Sequence, residues 1–259
     1  MRLVPFYMRA ADAGALHDLP NPLAPDDLLG PNAPDGPWEV EIGFGKGRYL
    51  KEMATLHPER RYLGIELVSK YHKYLGTRIQ RRGLANACAV RGEALYLLAT
   101  VLPRGFAEVV HVYFPDPWPK ARHHRRRLFD RRTVDLVVGL LRPGGRLCFA
   151  TDFIAYGRQV ERLLHAHPQL DVRPHAGLWP DGARTHYEAK YIEEGREILR
   201  LVAHLKDGAQ ADALHPAGIA GVVAAVPQTH DDVDDAQMLP AVPEALRADV
   251  RPWTPPAAG

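Results

Sequence analysis

Asp116 stands between two prolines in the run Tyr113-Phe114-Pro115-Asp116-Pro117-Trp118-Pro119-Lys120. Proline fixes φ, so the flanking rings hold this carboxylate in place at little entropic cost. The apolar stretch 109–114 reads as a strand that delivers it, and a cationic segment follows at once. From Lys120 to Arg132 there are seven Lys or Arg residues against one acid, Asp130. A rigid carboxylate at a strand end can hold a nucleic-acid base. Arg122, Arg125, Arg126 and Arg127 beside it can meet phosphates. Lys120 can face either phosphate or base. Trp118 offers a stacking face or packs under the loop, with packing the expected role, and His123 and His124 read as solvated surface.

A second stretch has the spacing of a nucleotide-type cofactor loop, Glu41-Ile42-Gly43-Phe44-Gly45-Lys46-Gly47. Gly43, Gly45 and Gly47 let the chain turn tightly between a strand and a helix and let a ligand approach the backbone. The spacing is GxGxG rather than the GxGxxG of a dinucleotide fingerprint. Glu66 follows nineteen residues after Gly47, where a carboxylate can accept both hydroxyls of a ribose. Glu41 just before the glycines disfavours a pyrophosphate and favours an ammonium or sulfonium group. S-adenosylmethionine carries both, and a nicotinamide cofactor is disfavoured.

The elements that must position these residues alternate. Strands are predicted at 38–42, 61–66, 86–91, 108–114 and 147–151, and helices at 48–56, 69–82, 94–102, 129–141 and 154–165. Val172 and 198–204 are candidates for a closing hairpin. In the first helix, Tyr49, Leu50, Met53 and Leu56 form the apolar face. Alternation at this spacing predicts parallel βαβ units in a doubly wound α/β sheet. Ligands then bind beyond the carboxyl ends of the strands. Glu41, Glu66, Glu93, Asp116 and Asp152 each fall near such an end. Five carboxylates on one rim repel one another unless a cationic or hydrogen-bond-donating ligand sits among them. The stretch 20–37 reads as a loop leading into the core.

Of 259 residues, 46% are hydrophobic and 25% charged, as in ordinary soluble globular proteins. The net charge of +2 hides an asymmetry. Residues 206–259 hold three basic and eight acidic residues, a net of −5, which leaves +7 on residues 1–205. A basic body points to a polyanionic partner. Cys88 and Cys148 are the two cysteines and form no CxxC pair, so no metal site and a reducing compartment are expected. No membrane span and no signal-peptide pattern are present in the sequence, so a cytoplasmic protein is expected. Monomer and homodimer are both compatible with the sequence.

Taken together, these motifs resemble the bacterial tRNA (guanine-N7)-methyltransferase family. They run in the family's order over roughly residues 38–204: the glycine loop, Gly64-Ile65-Glu66, Phe114-Pro115-Asp116-Pro117-Trp118 with Lys120-Ala121-Arg122-His123, Ala150-Thr151-Asp152, and Thr185-His186-Tyr187-Glu188-Ala189-Lys190. The resemblance implies a class I methyltransferase fold, a mostly parallel seven-stranded sheet of Rossmann-like type with helices on both faces. It implies methyl transfer from S-adenosyl-L-methionine to N7 of a guanine in the variable loop of tRNA. By position, Glu41, Gly43, Gly45, Gly47, Glu66 and Glu93 would contact the cofactor, and Asp116 would be the catalytic acidic residue beside both ligands, touching the cofactor as well. Lys120, Asp152, Thr185, Tyr187 and Glu188 would contact the substrate. Position 93 is often Asp in that family, and Glu extends its reach by one methylene. On the residues alone, 185–188 would be a turn. The expected division is an N-terminal extension and loop (1–37), a methyltransferase domain (38–205) and an acidic Ala- and Pro-rich tail, largely disordered (206–259).

Three other readings compete. An exocyclic-amine methyltransferase would carry an Asp/Asn-Pro-Pro-aromatic loop, and Asp116-Pro117-Trp118 lacks the second consecutive proline. A non-catalytic RNA-binding protein leaves the rim carboxylates without a purpose. A nicotinamide-dependent oxidoreductase conflicts with Glu41 and with the glycine spacing.

Overall fold

The structure is a computed structural model that describes residues 6–16 and 23–207. The expected disordered tail lies outside the described residues, apart from Lys206 and Asp207. In chain order the strands are β1 (Phe6–Arg9), β2 (Ala13–Ala15), β3 (Trp38–Ile42), β4 (Arg61–Glu66), β5 (Ala87–Arg91), β6 (Ala107–Tyr113), β7 (Leu141–Thr151), β8 (Leu170–Pro174) and β9 (Leu199–Leu205). The helices are α1 (Arg48–Leu56), α2 (Ser69–Arg82), α3 (Ala94–Thr100), α4 (Arg131–Leu140), α5 (Ile154–His165) and α6 (His186–Glu193).

All nine strands form one sheet in the order β2-β1-β5-β4-β3-β6-β7-β9-β8. The five central strands, β5-β4-β3-β6-β7, are parallel. Both faces of these strands are covered, so β3 and β5 are buried at every position. β9 runs antiparallel between β7 and β8, which is the closing hairpin expected from the sequence. The sheet exceeds the expected seven strands because β1 and β2 pair antiparallel beyond β5. Those strands are four and three residues long, too short to show period-two alternation.

From β3 the chain first winds outward through β4 to β5. It then returns to the other side of β3 for β6 and β7. The winding reverses between β3 and β6, the switch point at which open α/β sheets open a crevice. The glycine loop leaves β3 there and the Pro-Asp-Pro-Trp loop leaves β6 there.

The two faces of the sheet differ. One packs Val40, Ile42, Val110, Val112 and Phe149 against Leu97, Val134, Val137, Tyr156 and Val160 from α3, α4 and α5. The other packs Val109, Tyr113, Cys148 and Ala150 against Tyr49, Leu50 and Met53 of α1 and Leu75 and Ile79 of α2. Leu56 departs from the expected apolar face. It ends α1 and is 66% exposed. The predicted helix at 129–141 starts two residues later, because the Asp130 carboxylate caps it by accepting from the Thr133 N–H at 2.8 Å.

Candidate active site

Gly43, Gly45 and Gly47 all have positive φ, at 73°, 52° and 59°. The turn is closed by the Gly43 N–H on the Ile65 carbonyl (2.8 Å) and the Gly47 N–H on the Phe44 carbonyl (2.7 Å). A Cβ added at Gly43 or Gly45 would meet nothing within 4 Å, so open space lies above both. At Gly47 it would meet Leu75 of α2 at 2.7 Å. Gly43 and Gly45 therefore border space for a ligand, whereas Gly47 is required by packing.

The five rim carboxylates have five different situations. Glu66 ends β4 and accepts from the Gly45 N–H (2.8 Å) and the Val68 N–H (2.9 Å). Burial still raises its pKa, against those donors. Glu93 caps α3 and accepts from the Tyr96 N–H at 2.7 Å. Asp152, beyond β7, accepts from Arg196 at 3.3 Å. Asp116 is exposed. Glu41 is buried within β3, and its Oε2 has no hydrogen-bond partner. Burial pushes its pKa up to about 8, against the pull of His111, a backbone bond from Leu50 and the charge of Arg184. The mutual-repulsion argument thus narrows. Backbone N–H groups or Arg196 already engage three of the five, and Glu41 is the buried acid left wanting a cation.

The Pro-Asp-Pro-Trp loop is held under strain. Phe114 (φ 51°) and Trp118 (φ 39°) are the only non-glycine residues with positive φ among the described residues, and they bracket Asp116. Bulky side chains avoid this region, and such outliers persist only where their surroundings enforce them. Here the enforcement is visible. The Phe114 N–H donates to the Ala150 carbonyl at 2.7 Å. Arg127 Nε donates to the Pro117 carbonyl at 2.8 Å, and its other nitrogens reach Gln159 and the Trp118 carbonyl. Arg127 is therefore a tether of the loop and not the phosphate ligand expected from the sequence.

Trp118 packs as expected, with Arg126 over its ring at 4.9 Å and His123 edge-on at 5.7 Å. His123 is accordingly half-buried against the loop, while His124 is exposed as read. Residues Ala121–Arg126 form a 3-10 helix with no buried residue, and it presents Lys120, Arg122 and Arg125 to solvent.

The segment read as a turn at 185–188 is the start of α6. Thr185 caps it by accepting from the Glu188 N–H at 2.9 Å. The signal was present as Thr-x-x-Glu, the pattern of a capping box. Tyr187 is 56% exposed beside Tyr191, whose ring meets the edge of Phe114 at 5.5 Å. Glu188 is fully buried. Its carboxylate accepts from Arg200 Nε at 2.7 Å and from the Arg184 backbone N–H at 2.8 Å. The substrate contact expected of Glu188 is thus corrected: both oxygens are taken within the protein, and the side chain anchors α6 to β9.

Sequence reasoning passed over Arg184. Its guanidinium lies over Trp179, Tyr49 and Tyr113 at 4.4, 5.2 and 5.8 Å and donates to the Tyr113 hydroxyl. A polar path continues beneath it: Tyr113 to His111 at 2.7 Å, His111 to Glu39 at 2.8 Å, and Tyr49 to Glu39 at 2.7 Å. Burial works against an ionised Glu39, but the bonds from His111 and Tyr49 and the charge of Arg60 win and hold its pKa low. This network joins the segment before α6 to the first turn of α1, and so to the glycine loop. An isolated Arg between Ala and Thr gives no periodic signal in sequence.

The arrangement fits a nucleotide-like ligand bearing a cation. Glu41 can pair with an ammonium group, Gly43 and Gly45 leave room for it, and Glu66 is oriented at a rim for a diol. No helix among the described residues is long and apolar enough to cross a membrane.

Comparison with known proteins agrees. The family model described as "Putative methyltransferase" matches residues 35–201. The tRNA (guanine-N(7)-)-methyltransferase of Nitrosococcus oceani is 36% identical over 62% of this chain and 69% of its own length. That of Alkalilimnicola ehrlichii is 38% identical over 70% and 76%. That of Treponema pallidum strain Nichols is 36% identical over 74% and 75%. Among solved structures, a 16S rRNA (adenine(1408)-N(1))-methyltransferase W203A mutant from Catenulisporales acidiphilia aligns with a TM-score of 0.49 and 18% identity, over 81% of this chain and all of that one. That likeness is too slight to carry function. On the extent of its sequence relatives, the chain belongs to the tRNA (guanine-N(7)-)-methyltransferase family.

Proposed function

We propose that the protein transfers a methyl group from S-adenosyl-L-methionine to N7 of a guanine in the variable loop of tRNA. The observation that carries this reading is Asp116, an exposed carboxylate bracketed by two strained residues at the switch point, beside the glycine loop and the cationic 3-10 helix. Residues 38–205 form the catalytic domain, preceded by an extension (1–37) and followed by the acidic tail (206–259).

When bound, the cofactor would supply a methyl group activated on a sulfonium: the S–methyl bond would break as the N7–methyl bond forms, leaving a neutral thioether and a positively charged purine. Guanine N7 has a lone pair and no proton, so no general base is needed. Glu41 would hold the cofactor's ammonium group and Glu66 its ribose hydroxyls, and Gly43 and Gly45 would let it lie against the backbone. Glu93 would meet the adenine. Its carboxylate must then leave or share the Tyr96 N–H. Asp116 orients the base and stabilises charge developing on it, the role in which a preorganised group acts most strongly. Asp116 or Asp152 accepts from guanine N1–H and N2–H₂. Adenine lacks that donor pair and would leave the acceptors unpaired. Lys120, Arg122, Arg125 and Arg126 hold phosphates, and Thr185 and Tyr187 line the substrate side. A cytoplasmic setting accords with two buried, free cysteines.

The test is transfer of labelled methyl from S-adenosyl-L-methionine to unmodified bulk tRNA, followed by nucleoside analysis. N7-methylguanosine is the expected product. Another methylated nucleoside would overturn the base assignment, and no transfer would overturn the reaction.

A further inference from the structure

The helix α2 carries a second cationic surface that the catalytic loops do not use. Lys70, Lys73, Arg78, Arg81 and Arg82 lie on it, and no acidic residue does. His72, Leu75, Gly76 and Ile79 face inward. Lys70, Lys73, Arg81 and Arg82 are exposed on the opposite side. None of the five makes an ion pair among the described residues. Arg78 instead lies over the ring of Tyr74, at 3.3 Å from its centroid, and Tyr74 is itself 37% exposed.

Helix electrostatics alone would not build this. Arg81 and Arg82 complement the negative end of the helix dipole, but Lys70 and Lys73 occupy the first turns, where the dipole favours anions. Arg78 and Arg82 repel at i, i+4. Lys70 opposes the dipole, Arg78 and Arg82 repel each other, and no acidic side chain on the helix offsets them, so an external anion would be favoured along this stripe.

Its placement says which anion. α2 leaves the carboxyl end of β4, two strands from β6, so the stripe begins about 10 Å across the rim from the catalytic loop. From Lys70 to Arg82 it then runs roughly 18 Å away from that rim. We infer that α2 is a second phosphate-backbone contact for the tRNA, engaging an arm away from the target guanine while the 3-10 helix holds the strand at the target. This rests on the function proposed above.

The test is the variant Lys70→Gln/Lys73→Gln/Arg81→Gln/Arg82→Gln in the full chain. Glutamine keeps similar helix propensity at exposed positions. Dissociation constants for unmodified tRNA are measured across a salt series, alongside kcat and cofactor affinity. The variant should bind tRNA at least about tenfold more weakly at near-physiological salt. The slope of log affinity against log salt should flatten by about two to four, at up to ~0.9 for each phosphate no longer neutralised. Turnover at saturating tRNA and cofactor affinity should not change. An unchanged affinity and slope would overturn the inference. So would loss of binding to phosphatidylglycerol vesicles with tRNA affinity intact, which would assign the stripe to a lipid surface. If the wild type binds tRNA but methylates none, the proposed reaction fails while the binding comparison still decides the role of α2.

Discussion

Two turns leave adjacent strands at the same rim and are built by opposite means. The loop after β3 reaches positive φ with three glycines. It presents backbone and open space, and Glu41, whose Oε2 has no hydrogen-bond partner, is buried below. The loop after β6 reaches positive φ with a phenylalanine and a tryptophan and presents an exposed carboxylate between prolines. Glycine makes room for a ligand to lie against the main chain. Strained, tethered bulky residues fix a side chain's position instead. The difference predicts a division of labour: the first turn binds, the second acts.

The largest effect expected is on the second turn. Asp116→Ala should lower kcat by about 100-fold or more, the scale for losing one preorganised electrostatic contact to developing charge. Steady-state methyl transfer to tRNA measures it, and unchanged turnover would remove Asp116 from the chemistry.

Glu41 sharpens the binding half. The folded protein keeps Glu41 protonated up to about 8, while the unfolded chain ionises it near 4.5. Between those values the folded state holds more protons, so this residue makes stability fall as pH rises from about 4.5 to about 8, and adds no further change above that. Glu41→Gln should remove this slope and make the ligand-free protein more stable than wild type at about pH 8, by on the order of a few kcal/mol. It should also weaken the cofactor. Calorimetry at about pH 7 in buffers of different ionisation enthalpy should show cofactor binding to the wild type releasing a proton, and the Gln variant releasing less.

Gly47 separates packing from binding within the first turn. Gly47→Ala combines positive φ with a Cβ 2.7 Å from Leu75, and should cost about 2–3 kcal/mol in denaturant unfolding. The smallest effect belongs to the cationic 3-10 helix. Arg122→Gln/Arg125→Gln should raise the KM for all tRNAs several-fold, with a weaker dependence on salt than in the wild type, and leave the methylated position unchanged.

Much of this contrast was legible in the chain. Glycines at alternate positions after a short strand, and an acid between prolines before a basic run, announce themselves by type and spacing. The five parallel strands and the closing hairpin followed from alternation. Contacts between distant residues did not show. Arg127 reads as one more cation in a basic run, yet the carbonyls of Pro117 and Trp118 make it a tether. Glu188 reads as part of a turn, or by resemblance as a substrate contact, yet Arg200 from β9 pairs with it at zero exposure. Arg184 gained its place from three aromatic rings on separate elements. Each of these depends on which partners the fold brings near, and no local pattern encodes that.

The division of labour is tested most directly by titrating S-adenosyl-L-methionine into Asp116→Asn and Gly45→Ala and following single-turnover methyl transfer to tRNA in both. Gly45→Ala adds a Cβ into open space at φ 52°, so the fold should lose only about 1 kcal/mol. The account predicts near-wild-type cofactor affinity with slowed transfer in Asp116→Asn. In Gly45→Ala it predicts weakened affinity, with near-normal transfer once the cofactor saturates. Parallel loss of affinity and rate in both variants would contradict it.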